Sequence, residues 1–271
     1  MAVESPKQTR RISRRALLGG AVVASGGALA SAGLATTPFG HRVLHHFFGP
    51  VNAPPLPRAT LTPRPAAQTW PWTFDPKNPL LDIIPGSKWE QSAVFDPCVV
   101  RQSDGSLWMW YTTRGSAPSS IALATDVTGS GSAFTRYAGN PVLTPTPAES
   151  APATALTRPA VVAIPGGWRM WYSTNSPKNP AGQAWIGSAT STDGIHWRKQ
   201  GAPVLTPQAA WEHPGLQCPN VRYDAASGLF QMWYCGGAIY EPDAVGFATS
   251  PDGVTWTRHP ANPIFKPTSG W

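Results

Sequence analysis

Asp96 is the side chain of this chain whose type and setting most clearly fit chemistry. It stands in Phe95-Asp96-Pro97, and the same frame returns as Thr157-Arg158-Pro159 and Gln217-Cys218-Pro219. A carboxylate so placed can serve as nucleophile or general base, and an arginine can hold an anion through paired hydrogen bonds. The surroundings are kept while the residue before the proline changes from acid to cation to thiol. Trp89-Glu90 precedes the first copy and Trp211-Glu212 the third, and Met109-Trp110-Tyr111, Met170-Trp171-Tyr172 and Met232-Trp233-Tyr234 follow. Structural roles repeat with the unit. A position that varies within a kept frame is where a function would be grafted, and Asp96 is the one carboxylate where the other copies carry non-acids.

These residues must be positioned by a repeat of about 60 residues. Asn78-Pro79-Leu80-Leu81, Asn140-Pro141-Val142-Leu143, Ala202-Pro203-Val204-Leu205 and Asn262-Pro263-Ile264-Phe265 mark its start. A first strand is predicted at 94–101, 160–164 and 219–223. A turn (Asp104-Gly105, Gly166-Gly167, Ser227-Gly228) leads to the Met-Trp-Tyr strand, and a third strand of small or alternating residues covers 121–125, 186–190 and 245–249. An aromatic fourth strand follows Asp193-Gly194 and Asp252-Gly253, which read as hairpin turns; the first unit has Thr128-Gly129-Ser130-Gly131-Ser132 there and ends on Phe134. Four short antiparallel strands per period are the signature of propeller blades. The expected fold is all-β, with about three four-stranded blades plus the start of a fourth. Trp72-Thr73 and Pro76 with Asn78-Pro79 match Trp256-Thr257 and Pro260 with Asn262-Pro263, as an outermost strand that latches a ring would. The expectation is a propeller lacking roughly two blades beyond residue 271.

Of 271 residues, 41% are hydrophobic, 13% charged and 10% aromatic, which excludes a disordered chain. The formal charge of +7 is concentrated at the N-terminus. Lys7, Arg10, Arg11, Arg14 and Arg15 face only Glu4 in residues 1–32, leaving the body about +3 without a block of like charge. Nucleic acid is therefore not an expected partner. Ser13-Arg14-Arg15-Ala16-Leu17-Leu18 resembles a twin-arginine export motif, followed by an uncharged Ala/Gly-rich run and a small-residue site at Ala30-Ser31-Ala32. Residues 1–35 read as a signal peptide, with an uncleaved membrane anchor as the alternative, and the body is expected outside the cytoplasmic membrane. Residues 36–69 read as a Pro/Ala-rich linker, whose His41, His45 and His46 lack the scaffold a metal site needs. No metal and no cofactor are expected. Cys98, Cys218 and Cys235 follow no zinc spacing; buried free thiols are the plain reading, and one disulfide plus one thiol the alternative in an exported protein.

Strand alternation places Glu90, Asp96, Arg158, Glu212, Gln217, Cys218 and Asn220 on one face around the axis. Loops 112–120, 173–184 and 235–244 join them there, the last carrying Tyr240, Glu241 and Asp243. Units with Asn-Pro-Val-Leu, Phe-Asp-Pro, Met-Trp-Tyr and Ala-Thr-Ser-x-Asp-Gly-x-x-Trp resemble the five-bladed propeller glycosidases: glycoside hydrolase families 32, 43, 68 and 130, with their invertase, arabinanase and levansucrase relatives. The resemblance covers residues 70–271.

It implies carboxylates converging from successive first strands on a central pocket. The chemistry needs two carboxyls about the anomeric carbon, about 5 Å apart for retention and further for inversion. Asp96 matches the first-blade nucleophile or base. The second blade of invertase-like enzymes carries Arg-Asp-Pro, where this chain has Thr157-Arg158-Pro159; the third carries Glu-Cys-Pro-Asp, where it has Gln217-Cys218-Pro219-Asn220. Glutamine cannot donate a proton as an acid. Glu212 and Glu241 are the expected catalytic partners of Asp96, with Glu90 and Asp243 further candidates. Arg158, Gln217, Asn220, Trp89 and Asp243 are expected to bind substrate. Three readings stand open. The protein is an exported glycosidase, or a phosphorylase using Arg158 and Arg114 for phosphate; a carbohydrate-binding propeller with a degenerate site; or an interaction scaffold. For Glu90 and Glu212 a repeat-wide hydrogen-bonding role competes with catalysis. The implied partner is an oligo- or polysaccharide, bound by a protein that is monomeric at full length.

Overall fold

Strands of alternating or small apolar residues separated by glycine turns leave each sheet with two faces to bury, and stacking sheets face to face buries both. The computed structural model describes residues 74–145, 155–175, 184–238 and 242–267; the signal peptide, the linker and its histidines, Tyr240 and Glu241 lie outside them. Twelve strands occur among the described residues. The first blade is β1 (Ala93–Arg101), β2 (Leu107–Arg114), β3 (Ser120–Asp126) and β4 (Thr135–Arg136). The second is β5 (Ala155–Ile164), β6 (Gly167–Asn175), β7 (Ala184–Ser191) and β8 (Arg198–Lys199). The third is β9 (Gly215–Asp224), β10 (Leu229–Gly237), β11 (Pro242–Ser250) and β12 (Thr257–Arg258). Within each blade all neighbours are antiparallel and in chain order, and one parallel bridge, Ala184 to Gly215, joins the second blade to the third.

The all-β expectation holds, with local corrections. The innermost strands begin earlier than expected, at Ala155 and Gly215, because each continues through its proline by a bulge. The outermost strands have two residues each, and Phe134, Trp197 and Trp256 lie just before them. The two tryptophan rings turn inward instead: Trp197 meets Trp110 at 6.1 Å and Trp256 meets Trp171 at 5.9 Å. The Asn-Pro segments close a blade rather than open one. The Asn140 amide both accepts from Leu123 N–H and donates to Leu123 C=O, each at 2.8 Å, and Asn262 does the same to Phe247 at 2.9 Å. A side-chain amide thus gives the N–H of Leu123 and of Phe247 an acceptor where the short fourth strand has ended, and adds a second donor to carbonyls that already accept Tyr137 and His259 N–H.

The core lies between blades. Trp110, Ile121, Leu123 and Leu143 of the first blade pack with Leu156, Val161, Met170 and Tyr172 of the second. Trp171, Ile186 and Leu205 pack in the same way with Leu216, Phe230, Met232 and Tyr234 of the third. The central tryptophans of the first two blades also reach forward. Trp110 Nε1 donates to Gly194 C=O at 3.0 Å, and Trp171 Nε1 donates to Gly253 C=O at 2.8 Å. This accounts for the Asp-Gly pairs, which open loops rather than tight hairpins. Asp252 Oδ1 caps Val254 and Thr255 N–H at 2.8 and 2.7 Å, and Gly253 takes φ +72° so that its carbonyl faces the indole. A Cβ there would stand 2.8 Å from the Trp171 ring.

Gly253→Ala therefore combines a left-handed backbone with overpacking, and is expected to cost about 2–3 kcal/mol. Chemical denaturation of the variant beside the parent measures it; an unchanged midpoint would refute the forward contact as a stabilising element.

Candidate functional site

The three innermost strands share one irregularity. Asp96, Arg158 and Cys218 are the non-glycine residues with positive φ among the described residues, at 52°, 55° and 55°. Each precedes a proline, each sits in the bulge of its strand, and pairing with the second strand slips there. Proline normally drives the residue before it to extended backbone, so the left-handed turn costs about 1–3 kcal/mol at each site. What holds it in the second and third blades is a bond from the neighbouring blade. Arg158 N–H donates to Thr112 Oγ1 of β2 at 2.9 Å, and Cys218 N–H donates to Ser173 Oγ of β6 at 2.9 Å. A bulge bends the strand and re-aims its side chain.

The re-aimed side chains meet one another. Asp96 Oδ2 lies 3.9 Å from Arg158 Nε and accepts from Thr112 Oγ1 at 3.4 Å. Arg158 Nη1 donates to Gln217 Oε1 at 3.2 Å, and Gln217 Nε2 donates to Ala238 C=O at 2.7 Å. Gln217 is buried, whereas Asp96 and Arg158 keep 31% and 26% of their side-chain surface, enough for a ligand to reach both. Burial raises the Asp96 carboxyl above its ordinary range, and Arg158, the Thr112 hydroxyl and Arg114 pull against it without cancelling the shift. The arrangement is a carboxyl of raised proton affinity beside a fixed guanidinium, on a wall where Gln217 is satisfied at both ends of its amide. It can accept or return a proton and hold an oxygen-rich or anionic group.

The expected site thus divides. Asp96, Arg158, Gln217 and Cys218 come together. Asn220 does not join them: it is exposed and paired across from Trp233 beyond the bulge. Asp243 is exposed at the start of β11, against Gly237. Trp89 is half-buried ahead of β1, its N–H bonded to Ser87 Oγ at 3.2 Å. Glu241 lies outside the described residues. The sequence reading missed the position after Met-Trp-Tyr, filled by Thr112, Ser173 and Cys235. Its small polar character in every copy was the available signal.

Glu212 is also separate, and its surroundings explain the Trp-Glu pair. The carboxylate is fully buried; it accepts from Tyr234 Oη at 2.8 Å, Arg258 Nε at 2.8 Å, and Gln208 and Ala209 N–H at 2.7 and 3.1 Å. Glu90 repeats the lock, accepting from Tyr111 Oη and from Arg136 Nε, both at 2.7 Å. Glutamate, second-strand tyrosine and outermost-strand arginine clamp the outer part of the first and third blades, away from Asp96. With its oxygens buried and taken up by these four donors, Glu212 is not presented to a ligand at the bulges.

With the geometry in place, comparison with known proteins identifies the architecture. No family model matches the chain. The uncharacterized protein Rv1502 of Mycobacterium tuberculosis (strain ATCC 25618 / H37Rv) is 29% identical over 196 residues, spanning 68% of this chain and 60% of that protein. Among solved structures, a glycosyl hydrolase from Bacteroides ovatus superposes with a TM-score of 0.56 at 20% identity, covering 72% of this chain and 61% of the other. A structure from work on the GH130 family of mannoside phosphorylases, which contains glycoside hydrolases that target β-1,2 mannosidic linkages in Candida mannan, superposes at 0.55 with 21% identity and coverage of 72% and 61%. The chain therefore has the fold of the glycoside hydrolase propellers, and it spans about three fifths of the length of the proteins it matches.

The Glu212 lock has a pH signature. Burial alone would raise this carboxyl, but the bonds from Arg258, Gln208, Ala209 and Tyr234 outweigh it and hold it below its ordinary value. A depressed folded-state pKa gives stability that is present above the unfolded value of about 4.3 and is lost as pH falls through the folded value. Glu212→Gln is expected to destabilise the protein at pH 7 by about 2 kcal/mol, because the partly buried Arg258 loses its ionised acceptor, and by less at pH 3. Unfolding curves at the two pH values read the difference; an equal loss at both would show that the charge is not what stabilises.

Proposed function

We propose that this protein acts on carbohydrate as a glycoside hydrolase or glycoside phosphorylase, with Asp96 as nucleophile or general base. The observation that carries the reading is the meeting of Asp96, Arg158 and Gln217 at three aligned bulges. The fold shared with glycoside hydrolases supports it, as does the raised Asp96 carboxyl, shifted toward the pH range where proton transfer is efficient. Phosphorolysis asks fewer carboxyls of the protein and a cation for the phosphate, and Arg158 stands 3.9 Å from Asp96 to supply one. Glu241 is the remaining candidate acid. A five-bladed ring, export through residues 1–35, the linker at 36–69 and a monomeric state belong to the same proposal, and N-terminal sequencing of the secreted protein for cleavage after Ala32 tests the export part.

A second reading, a carbohydrate-binding propeller without turnover, is favoured by Gln217. Its amide stands where the resemblance implies the acid, and it is engaged at both ends, by Arg158 and by the Ala238 carbonyl.

The readings separate on aryl arabinofuranosides, β-fructofuranosides and β-mannosides, assayed for hydrolysis and, with inorganic phosphate, for phosphorolysis. The enzyme reading expects turnover that falls about 10²–10⁴-fold in Asp96→Asn. It also expects kcat/KM to fall on the acid side at a pH above the ordinary aspartate value, because Asp96 must be ionised to act. Glycan binding with no turnover in either protein supports the binding module instead.

A further inference from the structure

The third blade differs from the first two at the site wall. In the first blade the pre-proline Asp96 lies beside Thr112, the residue after Met-Trp-Tyr, within hydrogen-bond distance at 3.4 Å. The corresponding pair in the third blade is Cys218 and Cys235. The bulge in β9 brings them together: Cys235 pairs across from Gln217, next in sequence to Cys218, and the two thiols lie within hydrogen-bonding reach of each other. Both are half-buried and reduced, with Arg158 acting on both and Asp96 on Cys218. Neither thiol has a part in the carbohydrate chemistry above.

We propose that Cys218 and Cys235 form a redox-active dithiol on the wall of the site, closing to a disulfide by exchange with an oxidised small-molecule disulfide. Adjacent antiparallel strands bring Cα atoms within the span a disulfide requires, and β9 is already bent at its bulge. Cys235 is the attacking thiol: the hydrogen bond from Cys218 and the charge of Arg158 lower it below the ordinary thiol value against the cost of burial. Its thiolate attacks one sulfur of the external disulfide, forming a mixed disulfide and releasing one thiolate. Cys218 then loses its proton and attacks the Cys235 sulfur, releasing the second thiolate. Two protein thiols are oxidised, one external disulfide is reduced to two thiols, and the two protons pass from the cysteines to the leaving thiolates. Cys98 stays outside the exchange: burial raises its thiol, and its sulfur accepts Val161 N–H at 3.3 Å from the next blade. The new bond would tie β9 to β10 directly beside Gln217, fixing the partner of Arg158.

The test uses the full chain with oxidised glutathione as probe. From three thiols in the reduced protein, treatment is expected to leave one, on Cys98, with the peptides holding Cys218 and Cys235 cross-linked in mass spectra and separated again by a phosphine reductant. Cys218→Ser is expected to trap a glutathione adduct on Cys235. Three thiols remaining after treatment, or a cross-link that includes Cys98, overturns the proposal, and the thiol count of the parent protein alone decides between these outcomes if the variant fails to fold.

Discussion

Every innermost strand in this fold has two obligations: to pair with the second strand of its own blade and to lean on the blade beside it. The bulge before the proline is where both are met. Slipping the register by a residue turns one backbone N–H out of the ladder, and in the second and third blades the hydroxyl of Thr112 or Ser173 on the preceding blade receives it. The left-handed backbone is unfavourable taken alone and persists there because the neighbouring blade supplies the missing acceptor. Inter-blade cohesion near the axis and the presentation of Arg158 and Cys218 thus come from one piece of geometry, and Asp96 adopts the same backbone at the first blade.

That coupling explains why the variable residues sit where they do. A bulge re-aims its side chain, and Asp96, Arg158 and Cys218 take no part in the between-blade clusters, so their identity is not dictated by that core. Aspartate tolerates the left-handed region better than most residues; arginine and cysteine do not share that ease, yet they adopt the same φ. The scaffold imposes the backbone, and the side chain is left free to be an acid, a cation or a thiol.

The blade pattern is legible because its signals are periodic: apolar strands, glycine turns and Met-Trp-Tyr all recur at one spacing. Asp96 and Arg158 are legible as departures from that period. The placing of Glu212 beside Asp96 goes astray for a related reason. Strand alternation gives the face of a sheet but not the distance from the axis, and Glu90 and Glu212 precede their strands, close to the outermost arginines Arg136 and Arg258. The fourth strands look longer in the sequence because aromatic residues have high strand propensity, whereas Trp197 and Trp256 spend their rings on the neighbouring blade. The role of Thr112, Ser173 and Cys235 required knowing that β2, β6 and β10 each meet the bulge of a blade, which no local pattern encodes.

The indole contacts give the assembly a direction. Trp110 donates to the turn of the blade after it and Trp171 to the one after that, so the second blade presents an acceptor backward and a donor forward. Units with unlike front and back surfaces are interchangeable cassettes: one can be copied in tandem and still find its mate on either side, while its pre-proline residue changes independently of the contact. A lineage built this way can lengthen its array by gene duplication first and acquire chemistry at the new copy afterwards.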